Sequence, residues 1–213
     1  PRTLAFAYYA MALADLPNEE GTLALAENRT SLNGDEFSLA AIALTLHEMG
    51  EDELAAEVLA ELGETAVSRD GSVYWQGASE DGYYDNKVMA SDVRTTAIAL
   101  SAYSQIEPRS ELIPGMVRWL MAQRRSQGWG TTNETSFAIL GLTDHLLATS
   151  FNEAAANTSY TVQVNGQTVA SGTLGRGEPA VSLTISMDDL QIGENEIVLT
   201  QGGSGRLYFV VNG

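Results

Sequence analysis

The sequence predicts an α+β fold, in which a partial α/α toroid of about seven helices is followed by a small antiparallel β-sheet segment. Two observations lead to this prediction. Apolar residues recur at helical spacing through residues 1–150, whereas through residues 151–213 they alternate at strand spacing between Gly and Asn turns. In the first part, buried-type helices alternate with one-faced helices, as αα-hairpins stacked around an axis would.

Four segments of residues 1–150 predict inner helices, because they are apolar nearly all round and rich in small residues. Small residues let neighbouring helices approach closely. These segments are 7–13, 39–44, 96–102 and 137–142.

The segments between them predict outer, amphipathic helices. Residues 52–67 place Leu54, Val58 and Leu62 on one face and glutamates elsewhere. Residues 112–123 have a similar pattern, and a shorter helix is predicted at 19–28. Helix boundaries are indicated by Asn33-Gly34-Asp35 and Ser91-Asp92 before helices, and by Gly50 and Asp70-Gly71 after them.

Residues 151–213 predict about five antiparallel strands. The Asn165-Gly166 pair is a strong hairpin signal between strands at 160–164 and 167–174. Further strands are predicted at 180–187, 196–200 and 207–211. Five short strands are few for a β-sandwich that is stable on its own. We therefore expect this part to complete a sheet supplied elsewhere or to pack on the helices.

The composition excludes several classes of protein. The 213 residues include no cysteine, which rules out disulfides, zinc–thiolate sites, iron–sulfur clusters and a thiol nucleophile. The net charge of −17 disfavours nucleic acid and anionic membranes as partners. Both parts are acidic, which we interpret as solubility or adaptation to salt. The hydrophobicity pattern of the sequence shows no membrane span and no signal peptide. The sequence begins within a predicted helix, which predicts an excised piece of a longer protein.

The two histidines, His47 and His145, lie near the C-terminal ends of predicted helices, where positive charge is favourable. A histidine base would need a nucleophile and an orienting group, and the sequence has no Gly-x-Ser-x-Gly elbow. We interpret both histidines as capping or core residues.

One acidic, aromatic segment runs from Glu80 to Asn86. It has the residue types of a calcium site or of carboxylates facing a carbohydrate, but lacks the spacing of an EF-hand. We therefore favour a solvated loop.

The segment from Gln123 to Gly130 is similar to the Gln/Trp turn of terpenoid-cyclase toroids, in which these residues tie helix ends together. A cyclase would also need an Asp-rich acid motif, and a prenyltransferase toroid a cysteine ligand for zinc. Asn-x-Ser/Thr acceptors occur at Asn28, Asn133 and Asn157, and they matter only in a host that glycosylates secreted proteins. We assign no catalytic, cofactor-binding or metal-ligating residue and expect no cofactor.

Several segments resemble the alpha-2-macroglobulin/complement family, in order along the chain. Residues 116–135 resemble its Trp-Leu helix, Gly-rich turn and following helix, with Thr-Thr-Asn-Glu-Thr as a conservative departure in the last element. The other similar segments are 35–50, 70–75, 90–97, 193–195 and 203–208. The overall sequence character is most similar to that of bacterial members of the family.

The resemblance implies that residues 1–150 are the C-terminal half of a thioester-type toroid domain, and residues 151–213 the C-terminal half of a CUB-like domain. It implies a non-catalytic fragment of a broad-spectrum endopeptidase inhibitor, which traps proteases by conformational change. The Cys-x-Glu-Gln thioester motif of the family lies upstream of the region matched. An extracellular, periplasmic or cell-envelope location follows.

Alternatives remain open: a surface scaffold or adhesion module that reuses the toroid, and a toroid enzyme of the terpenoid-cyclase or glycosidase type. The expected partners are the rest of the parent chain and, through it, target proteases, with no nucleic acid and no membrane insertion by this segment. A half-toroid uncovering ~1,000 Å² of apolar surface would lose on the order of 25 kcal/mol. We therefore expect self-association, rearrangement, or coverage by the β part.

Overall fold

The computed structural model describes residues 2–32, 35–77, 91–125, 128–150, 158–175 and 181–203, together with Leu207, Phe209 and Val211. The chain divides into two compact units, Pro1–Thr149 and Ser150–Gly213. The first is helical with one short hairpin and the second is a β-sheet, which confirms the predicted α+β class with its helical toroid part.

The helical unit contains seven α-helices in its described residues, as predicted. Three of them begin at a side-chain cap, where Asn18, Asp35 and Ser91 accept a hydrogen bond from the backbone three residues on. The elements are α1 Arg2–Ala12, α2 Glu19–Glu27, α3 Glu36–Glu48, α4 Asp52–Glu64, β1 Val67–Arg69, β2 Ser72–Tyr74, α5 Asp92–Ile106, α6 Ile113–Gln123 and α7 Thr132–Ser150.

The helix predicted at residues 52–67 ends early, because a hairpin follows it. Helix α4 stops at Glu64, and β1 pairs antiparallel with β2. Asp70 and Gly71 have φ angles of 51° and 73°, and two consecutive positive φ values are what a type I′ hairpin turn requires. The Asp-Gly pair is therefore the hairpin turn and not a signal after a helix.

The core of this unit is centred on α3 and α5. Helix α3 contacts α1, α2, α4 and α5, and from Ala40 to Leu46 every residue is buried. The prediction of burial on nearly all sides holds for these two helices and is wrong for the flanking α1 and α7. Ile139 of α7 is 55% exposed and Leu13, just after α1, is 56% exposed. Burial depends on neighbours, and these faces have none among the described residues.

The described residues of the second unit contain a three-stranded antiparallel sheet in the order β4-β3-β5. Its strands are β3 Thr158–Val164, β4 Gln167–Leu174 and β5 Ile197–Gly202. The predicted hairpin is confirmed, since Asn165 and Gly166 have φ angles of 50° and 82° between β3 and β4. The Asn165 side chain also bonds to Asn195 and Glu196, which holds the loop before β5 at this turn.

The strand predicted at 180–187 does not form in the described residues, and the strand predicted at 207–211 lies only partly within them. Residues 181–186 belong to no strand, and Met187–Asp189 form a 3-10 turn capped by Ser186. Leu207, Phe209 and Val211 also belong to no strand. Alternation requires a buried face to fix a strand. Val181, Leu183 and Met187 are all exposed, so these apolar positions do not define one.

An ion-pair cluster joins the 3-10 turn Arg29–Leu32, which follows α2, to α4. Arg29 donates from Nε to both carboxylate oxygens of Glu61 at 2.9 Å, from Nη2 to Glu57, and from Nη1 to the carbonyl of Ala26 at 2.9 Å. The arginine side chain is only 16% exposed. The hydrogen bond from Arg29 lowers the pKa of Glu61.

We expect Arg29→Ala to lower the free energy of unfolding by about 1 kcal/mol at pH 7. Because the pKa of Glu61 is lowered in the folded state, this contribution is present above the unfolded pKa of ~4.3 and is lost as the pH falls through the folded value. Urea unfolding at pH 7 and pH 3 measures the change. The control is Arg69→Ala, because Arg69 and Asp70 lie 3.5 Å apart with both side chains exposed. Equal effects of the two substitutions would contradict the prediction.

Candidate functional site: the groove between the hairpin, α6 and the Trp129 turn

The helical unit has a shallow groove, made of two adjoining hollows that share Asp92, Trp119 and Gln123. The first hollow has a volume of about 240 Å³ and is also lined by Val93, Arg125, Trp129, Gly130 and Glu134. The second has a volume of about 360 Å³ and is also lined by Arg69, Asp70, Ser72, Tyr74 and Ala122. The groove therefore combines aromatic faces with charges of both signs.

The floor of the groove is the contact between α6 and the hairpin. Trp119 stacks on Tyr74, with ring centroids 4.9 Å apart and planes 8° from parallel. Arg118 donates from Nη1 to the carbonyl of Gly71 in the hairpin turn. Gly115 faces Val73 so closely that a Cβ at Gly115 would overlap it. These contacts position the exposed edge of the aromatic pair.

The turn around Trp129 forms one end of the groove. Its indole Nε1 donates to the carbonyl of Leu120 in the last turn of α6 at 2.6 Å, and its backbone N–H donates to Thr135 Oγ1 at 2.9 Å. Trp129 thus ties the end of α6 to the start of α7, the structural role expected for the Gln123–Gly130 segment. Gln123 lines the groove.

Two acidic residues of the groove lie in the first turns of α5 and α7, and both accept hydrogen bonds from backbone N–H groups. Glu134 Oε2 accepts from the N–H of Thr131 at 2.8 Å, while Thr131 Oγ1 accepts from the N–H of Glu134 at 3.1 Å, which is a capping box. Asp92 Oδ1 accepts from the N–H of Gly77 at 2.8 Å. No histidine lies among the described residues that line the groove. Both carboxylates therefore fix the backbone, Glu134 at the start of α7 and Asp92 at the segment that follows β2.

The two histidines lie away from the groove lining. His47 is in the last turn of α3, and its Nδ1 lies 2.8 Å from Asp52 Oδ1 at the start of α4. His145 is buried in α7 at 6% exposure. The capping or core interpretation agrees with both positions.

The remaining sequence candidates are only partly described. The segment 80–86 and Asn157 lie outside the described residues. Asn28 is the C-cap of α2 and donates to the carbonyl of Ala24 at 2.8 Å, whereas Asn133 lies half-buried in the first turn of α7. Among the described residues, no three potential metal ligands lie together and no helix is long and apolar enough to span a membrane.

A cluster that sequence analysis missed fills the space where α1, α3, α5 and α7 meet. Phe6, Phe37 and Phe137 lie 5.4–5.6 Å apart in pairs, measured between ring centroids. The guanidinium carbon of Arg94, from α5, lies 3.8 Å from the centroid of Phe37. Each inner helix contributes one residue, and no local motif links four residues so far apart in sequence.

A second contact between inner helices involves polar side chains. Gln105 Nε2 of α5 donates to Asp144 Oδ2 of α7 at 3.2 Å. Burial, with the charge of Asp144 as a smaller contribution, raises the pKa of Tyr9 of α1 to about 12. Tyr9 therefore stays neutral beside the carboxylate. The two clusters link the four inner helices through aromatic and polar side chains.

The comparisons with known proteins agree with this architecture. The family model of the A-macroglobulin TED domain matches residues 19–145, more than half of the chain. The chain is also similar to the alpha-2-macroglobulin homolog of Nostoc sp., with 25% identity over 124 residues. That alignment covers 58% of this chain and 6% of the Nostoc protein, so the chain matches a small part of its relative. The match through five of the seven helices and into α7 shows that the chain belongs to the A-macroglobulin TED domain family.

Proposed function

We propose that this chain is a non-catalytic part of an alpha-2-macroglobulin-like broad-spectrum endopeptidase inhibitor, which traps proteases by a conformational change. The observation that carries the proposal is the family match over residues 19–145 in a chain without cysteine. A thioester needs a cysteine, so the contribution of these residues is mechanical. They form a wall of the toroid, and residues 151–213 form the β segment that joins it to the moving body.

The contacts at the helix ends support a mechanical role. Trp75 donates from its indole Nε1 to the carbonyl of Leu62 at 2.8 Å, and from its backbone N–H to Thr96 Oγ1 at 3.1 Å. Trp129 makes the equivalent tie between α6 and α7. Because hydrogen bonds connect the ends of successive helices, the helices move together as one body. A trap that rearranges after cleavage requires such a body.

The central clusters and the groove support a role without catalysis. Phe6, Phe37 and Phe137 pack together where three inner helices meet, and this contact links helices and supplies no acid–base group. Asp92 and Glu134 both accept hydrogen bonds from backbone N–H groups. The family relationship also supports an extracellular or cell-envelope location for the parent protein.

The test uses the full-length protein that contains this chain, mixed with several unrelated endopeptidases. A trapped protease keeps cleaving a small chromogenic peptide but loses activity on casein, because the large substrate cannot reach it. We expect this split for the full-length protein and unchanged activity on both substrates for the chain alone.

Two outcomes would contradict the proposal, and they are distinguishable. If the full-length protein protects casein from none of the proteases, the inhibitor role fails and a scaffold or adhesion module is favoured. If the chain alone hydrolyses peptide, ester or glycoside substrates, the non-catalytic role fails. Trapped protease should also co-elute with the full-length protein in size-exclusion chromatography, whereas protease mixed with a pure scaffold would elute alone.

A further inference from the structure

Arginines gather along α6 and the turn that follows it, in a chain that is otherwise strongly acidic. From Leu112 to Asn133 the sequence holds three arginines and no acidic residue, whereas the whole chain carries 28 acidic and 11 basic residues. A fourth arginine, on β1, lines the second hollow of the groove, and all four residues are exposed. We name these four residues the arginine rim: Arg69, Arg118, Arg124 and Arg125.

Three arginines of the rim are held in position without being neutralised. Arg118 donates from Nη1 to the carbonyl of Gly71, and the guanidinium carbon of Arg124 lies 5.9 Å from the ring centroid of Trp129. Arg125 lines the first hollow. In the part of the chain that the structure describes, no carboxylate forms an ion pair with any of these three arginines. A guanidinium carries several N–H donors, so each of them can still bind a carboxylate.

The acidic residues of the groove, by contrast, already have partners. Asp92 and Glu134 accept hydrogen bonds from backbone N–H groups. Asp70 Oδ2 lies 3.5 Å from Nε of Arg69. The free charge at the groove is therefore positive, and it attracts anions although the chain as a whole repels them.

The groove has the length of a short extended peptide. Trp119 and Gln123 lie one helical turn apart on α6, and both line the two hollows, whose volumes are about 240 and 360 Å³. At about 1.5 Å per residue, Arg118 and Arg125 are roughly 10 Å apart along the helix direction. An extended chain rises about 3.3 Å per residue, so roughly three residues cover this distance.

We propose that the arginine rim and the groove bind an extended acidic segment of a partner protein, whose carboxylates meet the arginines while an apolar side chain contacts Trp119. A guanidinium holds a carboxylate through two parallel hydrogen bonds, and tryptophan and arginine are the side chains that contribute most at interfaces. A long polyanion such as nucleic acid fits less well, because beyond the rim it would meet a chain with a net charge of −17. This inference goes beyond the proposed function and does not rest on it.

The experiment measures the fluorescence anisotropy of fluorescein-labelled peptides mixed with the 213-residue chain. We expect saturable binding of the peptide EEFEE, and weaker binding as salt is added, because salt screens exposed ion pairs. The uncharged peptide QQFQQ should bind about tenfold more weakly or worse, since it lacks the carboxylates. The peptide EEGEE, which lacks the aromatic side chain, should bind about threefold more weakly or worse.

Two substitutions at exposed positions test the site without disturbing the core. Arg125→Gln removes a cation from the first hollow, and Ala122→Glu adds a carboxylate to the second. Each should weaken binding of EEFEE about fivefold or more. The matched controls are Arg109→Gln in the loop before α6 and Ala60→Glu on α4, which make the same changes at exposed residues outside the groove lining and should leave binding unchanged.

The tryptophan indoles give an independent readout by nuclear magnetic resonance. The indole N–H groups of Trp75 and Trp129 donate to backbone carbonyls, whereas Trp119 is half-buried and lies in both hollows. EEFEE should shift the Nε1–H signal of Trp119 and leave that of Trp75 in place. The Trp119→Phe variant identifies the Trp119 signal.

Four results would overturn the proposal. Equal binding of EEFEE and QQFQQ, or no binding of either, would show that the rim does not recognise carboxylates. Binding that Arg125→Gln and Ala122→Glu leave intact would place the peptide elsewhere. Tighter binding of heparin or a DNA oligonucleotide at the same charge concentration would make the partner a polyanion. Self-association of the chain that Arg125→Gln abolishes would make a second copy the occupant.

Discussion

Replacing Trp75 by alanine should lower the free energy of unfolding of the helical unit by about 3–5 kcal/mol. Trp75 is 0% exposed and stacks on Tyr103, with ring centroids 6.0 Å apart. Its removal leaves a cavity between the hairpin and the helices, and it leaves the carbonyl of Leu62 without its indole donor. With domain stabilities of roughly 5–15 kcal/mol, this loss is a large fraction of the total.

Two further substitutions separate the sources of this loss. Trp75→Phe keeps most of the apolar contact and removes the hydrogen bond, so it should cost about 1–2 kcal/mol, partly because Thr65 also donates to Leu62. Trp119→Ala removes a half-buried tryptophan that stacks on Tyr74 at the groove, and it should cost less than Trp75→Ala.

Urea unfolding followed by tryptophan fluorescence measures all of these changes, because the three tryptophans lie in the helical unit. Each single substitution leaves two of them as reporters. A Trp75→Ala effect no larger than that of Trp119→Ala would show that the tie between α4 and α5 is not a main source of stability.

The helices could be predicted from the sequence because their signal is local. Apolar residues at helical spacing place one side chain after another on the same face, and the caps Asp35 and Ser91 mark where two helices begin. The β1–β2 hairpin was missed because strands of three residues are too short to show alternation. Its Asp70-Gly71 turn carries the same residue types as a helix end.

The errors concern features that depend on neighbours. Alternation at 180–187 predicts a strand, but a strand also needs a partner and a buried face, and Val181 and Leu183 are exposed. The sequence predicts burial on most sides for all four inner helices, but such burial also requires a neighbouring helix on each of those sides. The assignment of residues 151–213 to a CUB-like half stays a prediction, since the family match ends at residue 145.

The sequence predicts only those contacts of the candidate site whose residues lie close together along the chain. The tie made by Trp129 follows from the turn that contains it, because its partners Leu120 and Thr135 are near in sequence. The cluster of Phe6, Phe137 and Arg94 joins helices far apart along the chain. Only the packing of α1, α5 and α7 brings these residues together, so no sequence spacing indicates it.

A second large effect is expected at Gly141, where α7 approaches α5. A Cβ at Gly141 would collide with the carbonyl oxygen of Ala97, which is part of the helix backbone and cannot rotate away. On an exposed helix surface, Gly→Ala stabilises by about 1 kcal/mol. Here the sign should reverse, with a loss of about 1–3 kcal/mol for Gly141→Ala and a larger loss for Gly141→Val.

The matched control is Thr143→Ala on the exposed side of the same helix, which should change the stability by no more than about 0.5 kcal/mol. Gly63→Ala in α4 adds a second comparison, because a Cβ there would meet only the hydroxyl of Tyr103, the far end of a side chain. If α5 and α7 are held at this distance by the Arg94–Phe137 contact before Gly141 and by the Gln105–Asp144 bond after it, Gly141→Ala should cost more than Gly63→Ala. Equal losses of stability for the two substitutions would mean that α7 can shift away from α5, and that the two helices do not form one rigid body.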